Sequence, residues 1–142
     1  MKTKFKVLAL VLVAAFVCLA LVGCSTVFDG YDDDDKIRNS STSVFVGQSS
    51  TNFGGVKTLN VSGGFGGATT IFGTATLTEH GSISMTLEYK SGKLKVVAIA
   101  EDNTIYTLLE NESCDGELKT ELPAGKYKIR LVGSEAVFNL SY

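Results

Sequence analysis

The chain has 142 residues, 44% hydrophobic and 20% charged, with 13 basic against 15 acidic side chains. That length accommodates one domain, and the slightly acidic balance excludes the basic footprint that nucleic-acid phosphates require. One histidine, three cysteines and no tryptophan leave a thin inventory for catalysis or metal ligation.

Lys2, Lys4 and Lys6 precede an apolar run from Val7 to Val22 that ends on Gly23 and Cys24. A basic start, a short apolar core and a small-residue exit predict a helical secretory signal peptide over residues 1–23. The run falls short of the about 20 residues that span ~30 Å of hydrocarbon. Leu21-Val22-Gly23-Cys24 resembles the lipobox of bacterial lipoproteins. That resemblance implies a diacylglyceryl group on the Cys24 sulfur, signal peptidase II cleavage between Gly23 and Cys24, and acylation of the new amine. It places the domain outside the cytoplasm, lipid-anchored in a bacterial cell envelope. Ser25 lacks the aspartate character of an inner-membrane retention signal, which favours the outer membrane in a diderm host. Two or more acyl chains at ~0.8 kcal/mol per buried CH2 anchor stably, whereas one binds marginally.

Removing the three leader lysines leaves 10 basic against 15 acidic residues, a net charge of −5. Such a chain has no polybasic membrane patch, so the lipid supplies the membrane affinity. Cys18 leaves with the leader and Cys24 is acylated. Cys114 then has no intrachain partner, and it reads as a tolerated thiol.

Residues 24–43 read as an acidic flexible tether, because low apolar content and like charges cannot offset the ordering entropy. As a coil it spans roughly 25 Å, and fully stretched ~60 Å. Asp32, Asp33, Asp34, Asp35 and Lys36 followed by Ile37 also resemble the enteropeptidase recognition sequence. The segment is therefore a candidate protease-sensitive tether. A solvated spacer, an engineered cleavage remnant and a native release site are its three readings. The spacing does not match a calcium loop, which needs alternating acids, a central glycine and a distal glutamate.

Residues 44–142 read as one all-β domain, a small antiparallel β-sandwich of jelly-roll or immunoglobulin-like type. Ile83, Met85, Leu87 and Tyr89 alternate with polar residues, as do Leu118, Thr120 and Leu122, then Tyr127, Ile129 and Leu131, then Ala136, Phe138, Leu140 and Tyr142. This period of two marks half-buried strands. The continuously apolar stretch from Leu94 to Ala100 predicts a central strand buried on both faces. Lys90–Lys93, Glu101–Asn103 and Gly133–Glu135 read as turns. Gly47 to Gly73 holds 8 of the 15 glycines, and Gly63–Gly67 reads as a loose edge hairpin or a flexible binding loop. It has no phosphate-cradle spacing.

The stretch Leu122-Pro-Ala-Gly-Lys-Tyr-Lys-Ile-Arg-Leu-Val-Gly133 resembles one region of the bacterial pre-peptidase C-terminal domain and similar jelly-roll accessory modules. The resemblance spans residues 116–142 and implies a Tyr-bearing strand near the end of a sandwich. The acidic positions that coordinate calcium in those relatives are not evident in this chain.

Catalysis finds little purchase. His80, the sole histidine, sits in a turn-like stretch, and neither Gly-x-Ser-x-Gly nor Ser-x-x-Lys occurs. Glu79, Glu88, Glu101 and Asp102 fit solvated turns and strand faces better than a glycosidase pair. The sequence therefore predicts a non-enzyme with no cofactor and no metal: a membrane-anchored envelope lipoprotein displaying a binding or interaction module. Lys93, Lys95, Lys126, Lys128 and Arg130 form its candidate binding surface for an anionic glycan or an envelope protein. The alternative is a structural or assembly subunit pairing through an edge strand. A carboxylate-based hydrolase ranks third.

Overall fold

The computed structural model describes residues 25–142. The leader, the apolar run and the Leu21–Cys24 motif lie outside the described residues. Among the described residues one helix, α1 (Asp34–Asn39), precedes seven strands: β1 (Ser43–Phe53), β2 (Val56–Leu77), β3 (Ser82–Ile83), β4 (Thr86–Ala100), β5 (Ile105–Glu110), β6 (Leu118–Lys119) and β7 (Gly125–Ser141). Five strands form one antiparallel sheet in the order β1-β2-β7-β4-β5, and β3 pairs with β6 in a separate ribbon.

Strands β2, β4 and β7 have 22, 15 and 17 residues, far beyond the usual ~5–6. They are not straight. The β2–β7 register slips between Val61, Phe65 and Gly67. The β4–β7 register slips between Tyr89, Ser91 and Lys93, and β1–β2 slips between Val46 and Gln48. These irregularities line up across the sheet, because Gly67 pairs with Gly133 and Lys93 pairs with the adjacent Ser134. The sheet creases along that line. Two rings show how far it folds: Phe72, adjacent to Ile129 in the register, meets Tyr142 edge-on at 5.4 Å. Along a straight strand at ~3.3 Å per residue, Ile129 and Tyr142 would stand ~40 Å apart. The two leaves of the creased sheet therefore face one another, giving the small β-sandwich that the alternation predicts.

The space between the leaves is filled by Phe65, Leu87, Leu94, Ile129, Leu131, Phe138 and Leu140, all essentially inaccessible. The ribbon β3–β6 adds Ile83 and Leu118 to the same core. Tyr127 donates its hydroxyl to the Pro123 carbonyl at 2.7 Å, pinning the entry to β7.

Two of the expected turns are not chain reversals. Lys90–Lys93 lies within β4 and Gly133–Glu135 within β7, and together they form the crease. Gly92 has φ +81, a Cβ there would run into the Glu135 carbonyl, and Glu135 itself has φ +55. Glycine and polar residues signal a turn or a bulge alike, and pairing on both sides of the strand decides between them. For the same reason Gly63–Gly67 is neither a loose edge hairpin nor a flexible loop. It lies inside β2, bonded to β1 and β7.

The larger correction concerns residues 25–43 of the segment read above as a flexible tether; Cys24 lies outside the described residues. From Thr26 to Ser40 the chain packs across the outer face of the sheet. The Thr26 carbonyl accepts from the Glu135 N–H at 2.9 Å, and the Phe28 N–H donates to Ser134 Oγ at 3.0 Å. Tyr31 and Ile37 (1% exposed) join Ala68, Val97 and Val132 in a second apolar cluster. This cover is what buries Leu94–Ala100 on both faces, as the sequence predicts for that stretch. The acidic run does structural service. Asp33 Oδ1 accepts from the Asp35 and Lys36 N–H groups at 3.0 and 3.1 Å, capping α1. Asp34 and Asp35 occupy the first turn, where the positive end of the helix favours carboxylates. Lys36 pairs with Asp29 at 2.9 Å.

The far end of α1 is held by Arg130. Its guanidinium donates to the carbonyls of Ile37, Arg38, Ser40 and Ala68, binding the helix terminus that carries partial negative charge. The candidate protease site therefore lies in a capped helix next to a buried isoleucine, so cleavage there is expected to require local opening of α1. Charge counting misses this because it scores capping carboxylates as solvated ones.

Arg130→Met is expected to lower unfolding stability by about 3 kcal/mol in urea titrations, since it strands four carbonyls. The same variant is expected to open the Lys36–Ile37 bond to enteropeptidase, which the folded parent resists. Parent cleavage as fast as that of the urea-unfolded chain would overturn this account of the segment. At the crease, Gly92→Val is expected to cost about 2–3 kcal/mol, against about 1 kcal/mol for Gly54→Ala in the open hairpin turn.

Candidate functional site

The cationic row expected on β4 and β7 does not present one surface. Lys126 and Lys128 are exposed, but Arg130 in the same row is buried under α1. Lys95 is buried as well: its Nζ lies 4.3 Å from the centre of the Tyr31 ring and 3.5 Å from Asp32 Oδ1. Lys93 reaches over the same ring at 5.6 Å. Alternation correctly puts these residues on the outer face, but the N-terminal segment covers part of that face. Tyr31 completes the latch by donating its hydroxyl to Glu110 Oε1 at 3.0 Å. Burial first, then the Glu110 carboxylate, pushes the Tyr31 pKa well above the usual tyrosine range.

The remaining reactive groups do not converge on one site, although His80 lines an open concavity with Ser82, Glu117 and Lys119. His80 is exposed, at φ +55 in a turn. Cys114 is half-buried with Sγ 3.7 Å from the Met85 carbonyl, and burial raises its pKa, the opposite of an activated thiol. Glu79, Glu88, Glu101 and Asp102 are all exposed. Among the described residues, no three His, Cys, Asp or Glu side chains are grouped to hold a metal ion.

A more structured concavity opens where the β1–β2 hairpin leaves the sandwich, with a volume of about 340 Å³. Ser50 pairs with Leu59 and Gln48 with the core residue Val61, so Gln48, Ser50 and Asn52 face inward along the hairpin. Phe45 and Tyr142 form the apolar walls. Both rings are braced: Phe45 stacks on Phe65 at 4.7 Å, and Tyr142 meets Phe72 edge-on. Reciprocal backbone bonds of 2.7 and 2.9 Å tie Tyr142 to Lys57, whose Nζ lies 5.7 Å from the Tyr142 ring centre. The groove thus offers fixed aromatic surface, one amide at each end and hydroxyls between them. Sequence reading missed it. The period-two spacing of Gln48, Ser50 and Asn52 was visible, but Phe45, Phe72 and Tyr142 are brought together only by the crease.

No family model matches this chain, and no curated protein does. Among solved structures, it is similar to a point mutant of a carbohydrate-binding module of family 29, at 14% identity over 70% of this chain and 74% of that one, with a TM-score of 0.42. A second point mutant, from work on ligand recognition by family 29 carbohydrate-binding modules, aligns at 14% identity over 70% and 75%, with a TM-score of 0.40.

The Tyr31 latch carries a pH signature. Above the ordinary tyrosine value of about 10, the unfolded chain loses a proton that folded Tyr31 keeps. Stability therefore falls as pH rises through that region. Alkaline urea titrations are expected to show this slope in the parent and a shallower one in Tyr31→Phe. Equal slopes would remove Tyr31 as its source.

Proposed function

We propose that this chain is a lipid-anchored cell-envelope lipoprotein whose β-domain is a non-catalytic module binding a neutral glycan in the groove beside the β1–β2 hairpin. The observation that carries the binding reading is the groove itself. Braced aromatic rings offer flat surface to the C–H faces of a sugar, and Gln48 and Asn52 place planar amides where hydroxyls need paired donors and acceptors. Lys57 is the one cationic side chain on the groove, so a neutral ligand fits better than the anionic glycan first read from the lysine rows.

The anchor reading is supported by Leu21-Val22-Gly23-Cys24. Thr26, two residues beyond Cys24, is already bonded to Glu135. An acyl group on Cys24 would therefore hold the domain within roughly 7 Å of chain from the headgroups. The second reading, an assembly subunit, is favoured by one observation: among the described residues β1 is an edge strand of 11 residues with neither charge nor proline.

Screening against immobilised neutral oligosaccharides is expected to give saturable binding that Tyr142→Ala and Asn52→Ala each weaken about tenfold. Absence of glycan binding, with one envelope protein captured in fixed ratio, would replace this reading with the assembly one. Cys24→Ala is expected to abolish palmitate incorporation, and persistent labelling would overturn the anchor.

A further inference from the structure

Among the described residues, the large apolar side chains left exposed are Val27 (60%), Val46 (37%), Phe53 (87%) and Val56 (51%). They are not scattered. Val27 lies where the chain arrives from Cys24, and the other three belong to the β1–β2 hairpin. Phe53 and Val56 face one another across a two-residue turn, Gly54 and Gly55, whose φ values of +59 and +84 give the tight reversal that suits strand twist. Apolar side chains at a protruding tip have no neighbours to cover them, and such a concentration marks an interaction site.

Alternation gives the tip a direction. Val61 faces the core, so Gln48 and Ser50 line the groove on the inner face, while Phe53 and Val56 lie on the outer one. The N-terminal segment also runs over the outer side of the sheet. Thr26 lies against Gly64 and Gly66, which pair with Val46 and Val44 at the base of the hairpin, so the N-terminal segment reaches the crease beside that base.

Charge narrows the partner. Residues 43–56 carry no charged side chain, although the chain from residue 24 onward has a net charge of −5. On the outer face of the same leaf, Glu88 is answered by Lys90 at 3.9 Å and by the Asn139 amide at 2.6 Å. The hairpin is thus the part of an acidic domain that approaches an anionic bilayer without repulsion.

We propose that the Phe53–Val56 tip is a second membrane contact, inserting into the boundary between headgroups and acyl chains of the bilayer that holds Cys24. The proposal rests on the lipid-anchor reading. One aromatic and one valine bind a bilayer weakly alone, but an anchor attached at the crease raises their effective concentration at the surface. The domain then lies along the membrane on its outer face, with the groove on the opposite face of the hairpin open to solvent.

The test uses the full acylated chain in vesicles of phosphatidylethanolamine and phosphatidylglycerol. A polarity-sensitive fluorophore is placed at Phe53→Cys or, as a control, at Glu101→Cys, both with Cys114→Ser. Position 53 is expected to emit blue-shifted light and to be quenched by spin-labelled lipid, while position 101 stays solvent-like. Val56→Asp is expected to reduce the quenching roughly tenfold, by setting a carboxylate into the apolar layer. Solvent-like emission at position 53 in a palmitate-labelled, vesicle-bound chain overturns the tip contact and leaves the anchor standing. Quenching at position 53 without palmitate labelling overturns the anchor and keeps the contact. A concentration-dependent blue shift without lipid quenching replaces the membrane with a second copy paired through β1.

Discussion

A flat antiparallel sheet with strands as long as β2, β4 and β7 would leave an entire face open to water. Creasing the sheet removes that exposure by turning one face onto itself, so one set of strands supplies both walls of the core. Folding so sharply requires backbone that can bulge, and glycines stand where the strands need it. Gly67 lies opposite Gly133, and Gly92 sits under Glu135, where any Cβ would collide. The core, the groove and the exit of the N-terminal segment are all placed by this line.

Folding one face inward leaves the other to be managed. Part of it is covered by residues that composition assigns to solvent. Their order comes from a few strong contacts rather than from broad apolar burial. Ile37 and Tyr31 enter the second cluster, Asp33 caps the start of α1, and Arg130 gathers the carbonyls at its end. A buried guanidinium is costly unless its donors are used; here the two terminal nitrogens donate to the carbonyls of Ile37, Arg38, Ser40 and Ala68 in place of a carboxylate partner, and Nε alone is left without one. The basic residue on β7 and the acidic segment before β1 thus solve each other's problem. That is why Arg130 and Lys95 are withdrawn from the surface on which their alternation would display them.

The two faces of the β1–β2 hairpin divide the chemistry between them. The inner face carries amides and hydroxyls toward braced rings, and the outer face carries an uncharged surface ending in Phe53 and Val56. Period-two geometry makes this separation automatic, since adjacent residues cannot serve the same face. A module held to a membrane from its outer side would keep its inner groove accessible.

The strands around Leu87, Ile129 and Phe138 were legible because burial on one face imposes alternation that local sequence records. The same holds for the double burial of Leu94–Ala100, though nothing local said what covered the second face. The hairpin turn at Gly54–Gly55 and the bulges at Gly63–Gly67, Gly92 and Gly133 share one composition, and only pairing across the sheet separates them. The groove was illegible for a related reason: Phe45, Phe72 and Tyr142 are far apart in the chain and meet only because the sheet folds over. By itself, then, the sequence determined the all-β class, the inward and outward residue sets and the expectation of a leader with an acylated cysteine, since each rests on short-range pattern. The tertiary structure alone decided the crease, the ordering of the acidic segment, the burial of Arg130 and the position of the groove. Each of those depends on contacts between residues distant in sequence, whose free energy no local pattern encodes.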